Sequence, residues 1–342
     1  LPQVLQTGWF GAQALRSWLR YHPSEMSSKL LCLLLTAVLV GSLPGSAQQA
    51  SRKKQTAAQA IAPDYADVRY GPAERNRFDL WKAPGVANAP LAVFIHGGGF
   101  VGGDKSVLNP GVLRKMLDAK VSVAAVNYRF LKDAPIQSIL RDCARAVQFL
   151  RANAKQYGID KQRVAAFGGS AGAGTSLWLA FHDDLAEPGS PDPVLRESSR
   201  LVAAASTAGQ ATYDITRWKE FLGEEAMTRH SKPTDLPAFF GLASIAEMES
   251  PAGQKIRADV DMLALISTGD APVYLVASSR HDGLTNRGDV NHTAKHSRMV
   301  KQQCEAKGVK AVVEITDGEA NRAAGHVDFL IEHLRNGNAA YQ

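Results

Sequence analysis

Six apolar runs separated by stretches of helical periodicity constrain this chain more than any other feature. They are LAVFIH (91–96), VSVAAVNYR (121–129), RVAAFGG (163–169), RLVAAAST (200–207), APVYLVASS (271–279) and KAVVEIT (310–316). An unbroken apolar run cannot be a strand with one wet face, because successive side chains point to opposite sides. Between the runs, apolar residues return at helical spacing. From Pro135 to Tyr157 they fall at Ile136, Ile139, Leu140, Cys143, Val147, Leu150 and Ala154, which marks one face of a helix. Pro135 suits its first turn, and Gly158 suits its end. Strands buried on both faces and alternating with amphipathic helices predict an α/β fold, with a mostly parallel twisted sheet and helices on both sides. Ahead of the first run, YADVRYG and NRFDLWKA alternate around GPAER and predict a hairpin. The stretch 211–269, with Trp218, Phe221, Phe239 and Phe240, breaks the alternation and is expected to be a cap insertion.

The amino-terminal region has a different pattern. Met26 to Ala47 carries one Lys, an apolar core from Leu30 to Val40, and a small-residue ending. That is the layout of a secretory leader cleaved after Ala47. The apolar core is shorter than the ~20 residues a membrane span needs, so no stable membrane anchor is expected. The expected organisation is therefore 1–47 removed, 48–62 a polar tail, and 63–342 the folded domain, in a periplasmic or secreted protein. The net charge of +6 is small and unclustered, which argues against a nucleic-acid partner. Once Cys32 leaves with the leader, Cys143 and Cys304 remain. They lie on helices not expected to be neighbours and are read as free thiols.

Three motifs carry chemistry. Gly168-Gly169-Ser170-Ala171-Gly172 stands between a buried run and a helix, where G-x-S-x-G forms a sharp turn that lifts the serine above the sheet edge. HGGGF follows the run 91–96. Peptide N–H groups must come close to an oxyanion there, so the amides of Gly98 and Gly99, together with that of Ala171, are the candidate oxyanion-hole donors. His96 reads as a structural residue of that loop. The base should follow the last strand, which selects His326 over His333 further along the same helix. The acid should follow the run 271–279. Asp282 leaves the strand directly and is favoured; Asp289, just ahead of the next helix, is the alternative. His292 and His296 have i, i+4 spacing but no HExxH context, so no metal site is expected.

HGGGFVGGDK, VNYRF, YGIDKQRVAAFGGSAGAG, VYLVASSRHDG and GHVDF occur in order between about residues 65 and 334. Together they resemble α/β-hydrolases of the carboxylesterase and lipase type, near the bacterial hormone-sensitive-lipase-like and feruloyl-esterase-like enzymes. The chain departs from that pattern in Gly169 before the serine, in Ala173 after it, and in a long acid loop. The resemblance implies acyl transfer on a small-molecule or carbohydrate-linked ester, with Ser170 as nucleophile, His326 as base, Asp282 or Asp289 as acid, and no cofactor. A serine amidase or arylformamidase on the same fold is the alternative chemistry. A non-catalytic binding protein fits less well, because serine and histidine are both present.

Overall fold

The computed structural model describes residues 61–230, 233–318 and 325–337. The expected leader, most of the tail and residues 319–324 lie outside the described residues. The apolar runs form the strands they predict. The strands are β1 (Tyr65–Arg69), β2 (Arg77–Trp81), β3 (Ala89–Ile95), β4 (Ser122–Val126), β5 (Ile159–Gly169), β6 (Ala203–Thr207), β7 (Val273–Ser278) and β8 (Ala311–Thr316). They make one sheet in the order β1-β2-β4-β3-β5-β6-β7-β8. The hairpin β1–β2 is antiparallel, as is the β2–β4 pair, and every other pair is parallel.

The strand period of two divides the core into two layers. Leu91, Val93 and Ile95 of β3 and Val164 and Ala166 of β5 face one layer. That layer is filled by α2 (Ile136–Ala152), α3 (Ala171–Phe181) and α7 (Ala294–Ala306). Ala92 of β3 and Ala165 and Phe167 of β5 face the other, against α1 (Pro110–Asp118) and α8 (Gly325–Asn336). Cys143 and Cys304 are buried, unpaired thiols. Burial pushes the Cys304 thiol up to about 12, so it is protonated at neutral pH.

Between β6 and β7 the chain runs through short helices, including α4 (Glu224–His230) and α5 (Pro251–Asp259). Ile215, Trp218, Leu222 and Ala226 of this segment form an apolar cluster with Leu284 and Val290. The segment is thereby packed against the loop that follows β7. That loop contains a helix not anticipated from the sequence, α6 (Arg287–His292), directly ahead of α7. Asn286 caps α6 by accepting from the Asp289 amide at 3.0 Å, so a local Asn-x-x-Asp signal sets where it starts.

Candidate active site

Ser170 ends β5 and opens α3 with φ 51° and ψ −118°, a region that non-glycine residues rarely occupy. Its amide donates to Thr207 O at 2.9 Å, and its carbonyl accepts from Gly174 N at 3.0 Å. Both flanking glycines are required by contact. A Cβ on Gly168 or on Gly172 would overlap the carbonyl oxygen of Ile95, where α3 crosses the end of β3. G-x-S-x-G is therefore a packing condition here: the small residues let helix and strand meet, and the meeting holds the strained serine.

The glycine loop passes beside this turn. A Cβ on Gly97 would lie 2.8 Å from Gly169 O and 3.4 Å from the Ser170 Cβ. Gly98 and Gly99 have φ of 115° and 60°, which turns the backbone back on itself. The Gly98 carbonyl accepts from Val101 N and Gly102 N at 3.1 and 3.2 Å. The VNYR motif pins this loop from the neighbouring strand. Tyr128 donates its hydroxyl to His96 O at 2.6 Å. Asn127 accepts from Lys105 N and donates to Asp104, both at 2.7 Å. His96 is fully buried and stacks on Tyr128, and burial lowers its pKa. It is a structural part of the loop.

Among the described residues, His292 lies within hydrogen-bonding distance of the serine. Its Nε2 lies 2.9 Å from Ser170 Oγ. Burial is the largest influence on this ring and lowers its pKa; His281 adds to the lowering, while a hydrogen bond to the Gly288 backbone opposes it. In the tautomer that carries its proton on Nδ1, Nε2 presents a lone pair to the serine hydroxyl, as a proton acceptor needs.

The acids expected from the sequence serve other partners. Asp282 accepts from Thr293 Oγ1 at 2.7 Å and from Ala294 N at 2.9 Å, and pairs with Arg298 at 3.3 Å. It holds the corner between α6 and α7, one residue after His292. Asp289 lies 2.9 Å from His281 Nδ1 and accepts from the Thr285 and Asn286 side chains. Hydrogen bonds from Thr285 and His281 hold its carboxyl down to about 2. The His281 and His292 rings stand 5.8 Å apart, centroid to centroid.

The expected base, His326, is buried in the first turn of α8, where Gly325 abuts the Tyr274 hydroxyl. His333 is further along that helix, with Nδ1 on Phe329 O at 2.8 Å. The described geometry thus pairs Ser170 with His292, whereas chain order selected His326. The reason is the extra helix α6, whose last residue is brought to the serine. His292 was visible in the sequence only as half of an i, i+4 pair. The signal that could have marked it is its place in the long loop after β7, where the acid was sought.

The other half of that pair, His296, is fully buried. Its Nδ1 accepts from Ala211 N at 3.1 Å and its Nε2 donates to Val290 O at 2.9 Å. Its ring packs edge-on to Trp218 and Phe221. His296 thus ties the base of the inserted segment to the helix that carries His292. Among the described residues no group of three or more His, Cys, Asp or Glu side chains is arranged to hold a metal. None of their helices is long and apolar enough to cross a membrane.

Residues 79–232 match the BD-FAE family. Over 252 residues the chain is 26% identical to a probable carboxylic ester hydrolase, LipM, of Mycobacterium tuberculosis, covering 71% of this chain and 54% of that protein. Esterase LipQ of the same organism is 27% identical over 54% of this chain and 45% of its own length. The chain thus spans only about half the length of these relatives. Among solved structures, an acetyl ester-xyloside bifunctional hydrolase from Caldicellulosiruptor lactoaceticus superposes with a TM-score of 0.60 at 16% identity, covering 81% of this chain and 98% of that one. A truncated carbohydrate esterase from gut microbiota superposes with a TM-score of 0.63 at 16% identity, over 80% of this chain and 100% of that one. At such identity these likenesses speak to the fold.

Proposed function

We propose that this chain, which has the α/β-hydrolase fold, cleaves carboxylic esters through an acyl-enzyme on Ser170, with His292 as the base. The observation that carries the reading is the 2.9 Å contact between Ser170 Oγ and His292 Nε2, at a residue whose strained backbone is held by packing on both sides. His292 takes the serine proton as Oγ attacks the ester carbonyl, then returns it to the leaving alcohol. The oxyanion is received by amides of Gly98, Gly99 and Ala171, preorganised in a turn and at a helix start. Asp282 acts through Thr293 and Ala294 to fix the corner after His292.

The substrate class is a small-molecule or carbohydrate-linked ester, in keeping with relatives named as ester hydrolases and a neighbour named as a carbohydrate esterase. Export to the periplasm or medium rests on the Met26–Ala47 pattern alone.

The test is hydrolysis of p-nitrophenyl acetate, with fluorophosphonate labelling, by Ser170→Ala, His292→Gln and His326→Gln. Ser170→Ala should abolish labelling, and it and His292→Gln should each lower turnover by at least ~10³-fold. His326→Gln should lower turnover by less than ~10-fold. The reverse ranking of the two histidines returns the base to the position that chain order selects.

A further inference from the structure

The two arms of the oxyanion site, the glycine turn and the start of α3, lean on one side chain. Tyr213 lies in the segment that follows β6 and is buried. Its backbone is fixed on both sides: its amide donates to Val260 O at 3.1 Å, and its carbonyl accepts from Ile215 N at 2.9 Å. Its hydroxyl donates to Ala171 O at 2.6 Å, an oxygen that also accepts from Thr175 Oγ1 at 2.8 Å. The helix leaves room for the phenol at Gly174, where a Cβ would overlap the Tyr213 hydroxyl. Gly174 N in turn donates to Ser170 O at 3.0 Å, and that carbonyl shares its peptide plane with the Ala171 amide. The direction of the Ala171 N–H is thus set one turn into α3, at the residue against which the phenol seats. The second glycine of SAGAG has its reason here, apart from G-x-S-x-G.

The ring of Tyr213 meets the other arm. Phe100 follows Gly99 directly, is 3% exposed and has a φ of 62°, a conformation that costs a bulky residue dearly. Its ring stands edge-on to Tyr213 with centroids 5.2 Å apart, and Tyr128 and Phe239 flank it at 5.9 and 6.5 Å. Its carbonyl accepts from Leu131 N at 2.8 Å. Phe100 cannot shift without carrying the Gly98–Gly99 turn with it. We infer that Tyr213 is a positioning residue of the oxyanion site, setting the spacing between the amides of Gly98 and Gly99 on one arm and that of Ala171 on the other. This rests on the reading above that those amides receive the oxyanion, and it is independent of which histidine is the base. Acylation and hydrolysis of the acyl-enzyme both pass through a tetrahedral oxyanion. Donors at the wrong spacing slow both steps together, so kcat falls while KM stays.

The experiment is hydrolysis of p-nitrophenyl acetate by the full chain carrying Tyr213→Phe, Phe100→Leu or both, with thermal unfolding of each. Each is also inhibited with a short-chain alkyl trifluoromethyl ketone, whose adduct with a serine carries the oxyanion without turning over. Tyr213→Phe and Phe100→Leu should each lower kcat by about 10- to 10²-fold, the scale of a ~1 Å misplacement, with KM within about 2-fold. Affinity for the ketone should weaken by the factor that kcat/KM loses. The double variant should lose less than the product of the two single losses, because both act on one spacing. A lowered unfolding midpoint with kcat and ketone affinity unchanged overturns the inference, because Tyr213 would then serve the fold alone. A fall in kcat with unchanged ketone affinity overturns it as well. Should Tyr213→Phe not fold, Phe100→Leu decides by the same two measurements. Failure of the underlying reading is separable: a wild type that the ketone does not inhibit, or Ser170→Ala with turnover intact, removes the oxyanion site itself and the inference with it.

Discussion

The Ser170 side and the His292 side of the candidate site are built in different ways. Around Ser170 the shape is set mainly by close backbone approach. Gly168 and Gly172 make room for Ile95 O, and Gly98 and Gly99 supply positive φ. Tyr128 and Asn127, from the adjoining strand, fasten the glycine loop. Around His292 everything is side chain, drawn from distant segments: His296 bonds Ala211, Gln210 donates to Asn291 O at 2.9 Å, and Trp218 packs against His296. A backbone constraint has few chemical solutions, so it writes a motif. A side-chain constraint has many, and leaves none.

Breaking the backbone side should have the largest effect. Gly172→Ala forces a Cβ into Ile95 O and the main chain around it. Overpacking of this kind costs ~1–3 kcal/mol, more where only backbone can yield. Thermal unfolding should show a lower midpoint, and fluorophosphonate labelling should be lost. Gly99→Ala, with no atom within 4 Å of its Cβ but φ of 60°, should cost only about 1–2 kcal/mol from the left-handed conformation. Equal losses at the two positions would mean that the close crossing of α3 and β3 is not what the glycines serve.

The side-chain half breaks at His296. In His296→Leu the buried Ala211 N–H and Val290 C=O lose their partners, at about 1–3 kcal/mol each. The same variant changes the response to acid. Burial lowers His296 to about 4 from an ordinary 6.5, and His230, also lowered chiefly by burial, to about 4. The unfolded chain therefore binds more protons than the native state between those values. Stability is full above about pH 6.5, falls as pH drops towards about 4, and levels off below. Removing His296 should shrink that fall and leave the share of His96, His230 and His292. Unfolding curves at about pH 7.5 and about pH 5 measure it. A variant with the wild-type pH slope would show that His296 does not stay neutral in the fold.

The smallest effect sharpens the comparison at Asp282. An acid that orients the base costs ~10⁴ in turnover when changed to Asn. Here Asp282 holds Thr293 and Ala294 through one oxygen, and an amide oxygen can do the same. Asp282→Asn should therefore lower kcat by less than ~10-fold, measured with p-nitrophenyl acetate. A loss near ~10⁴ would give the residue the role that its place after β7 suggests.

By itself the sequence determined the sheet and the sharp turn at Ser170. Runs such as VAAF within β5, alternating with amphipathic helices, fit strands buried on both faces of a parallel sheet, and G-x-S-x-G after such a strand marks a sharp turn. Chain order pointed to His326, because it treats the loop after β7 as a carrier of the acid alone. Only the tertiary structure decided that this loop folds a further helix and ends it against the serine. The physical reason is reach. Strand and elbow are set by neighbours a few residues away. Which imidazole meets Ser170 Oγ depends on where Ala211, Trp218 and Val290 converge around His296, and no spacing along the chain records that convergence.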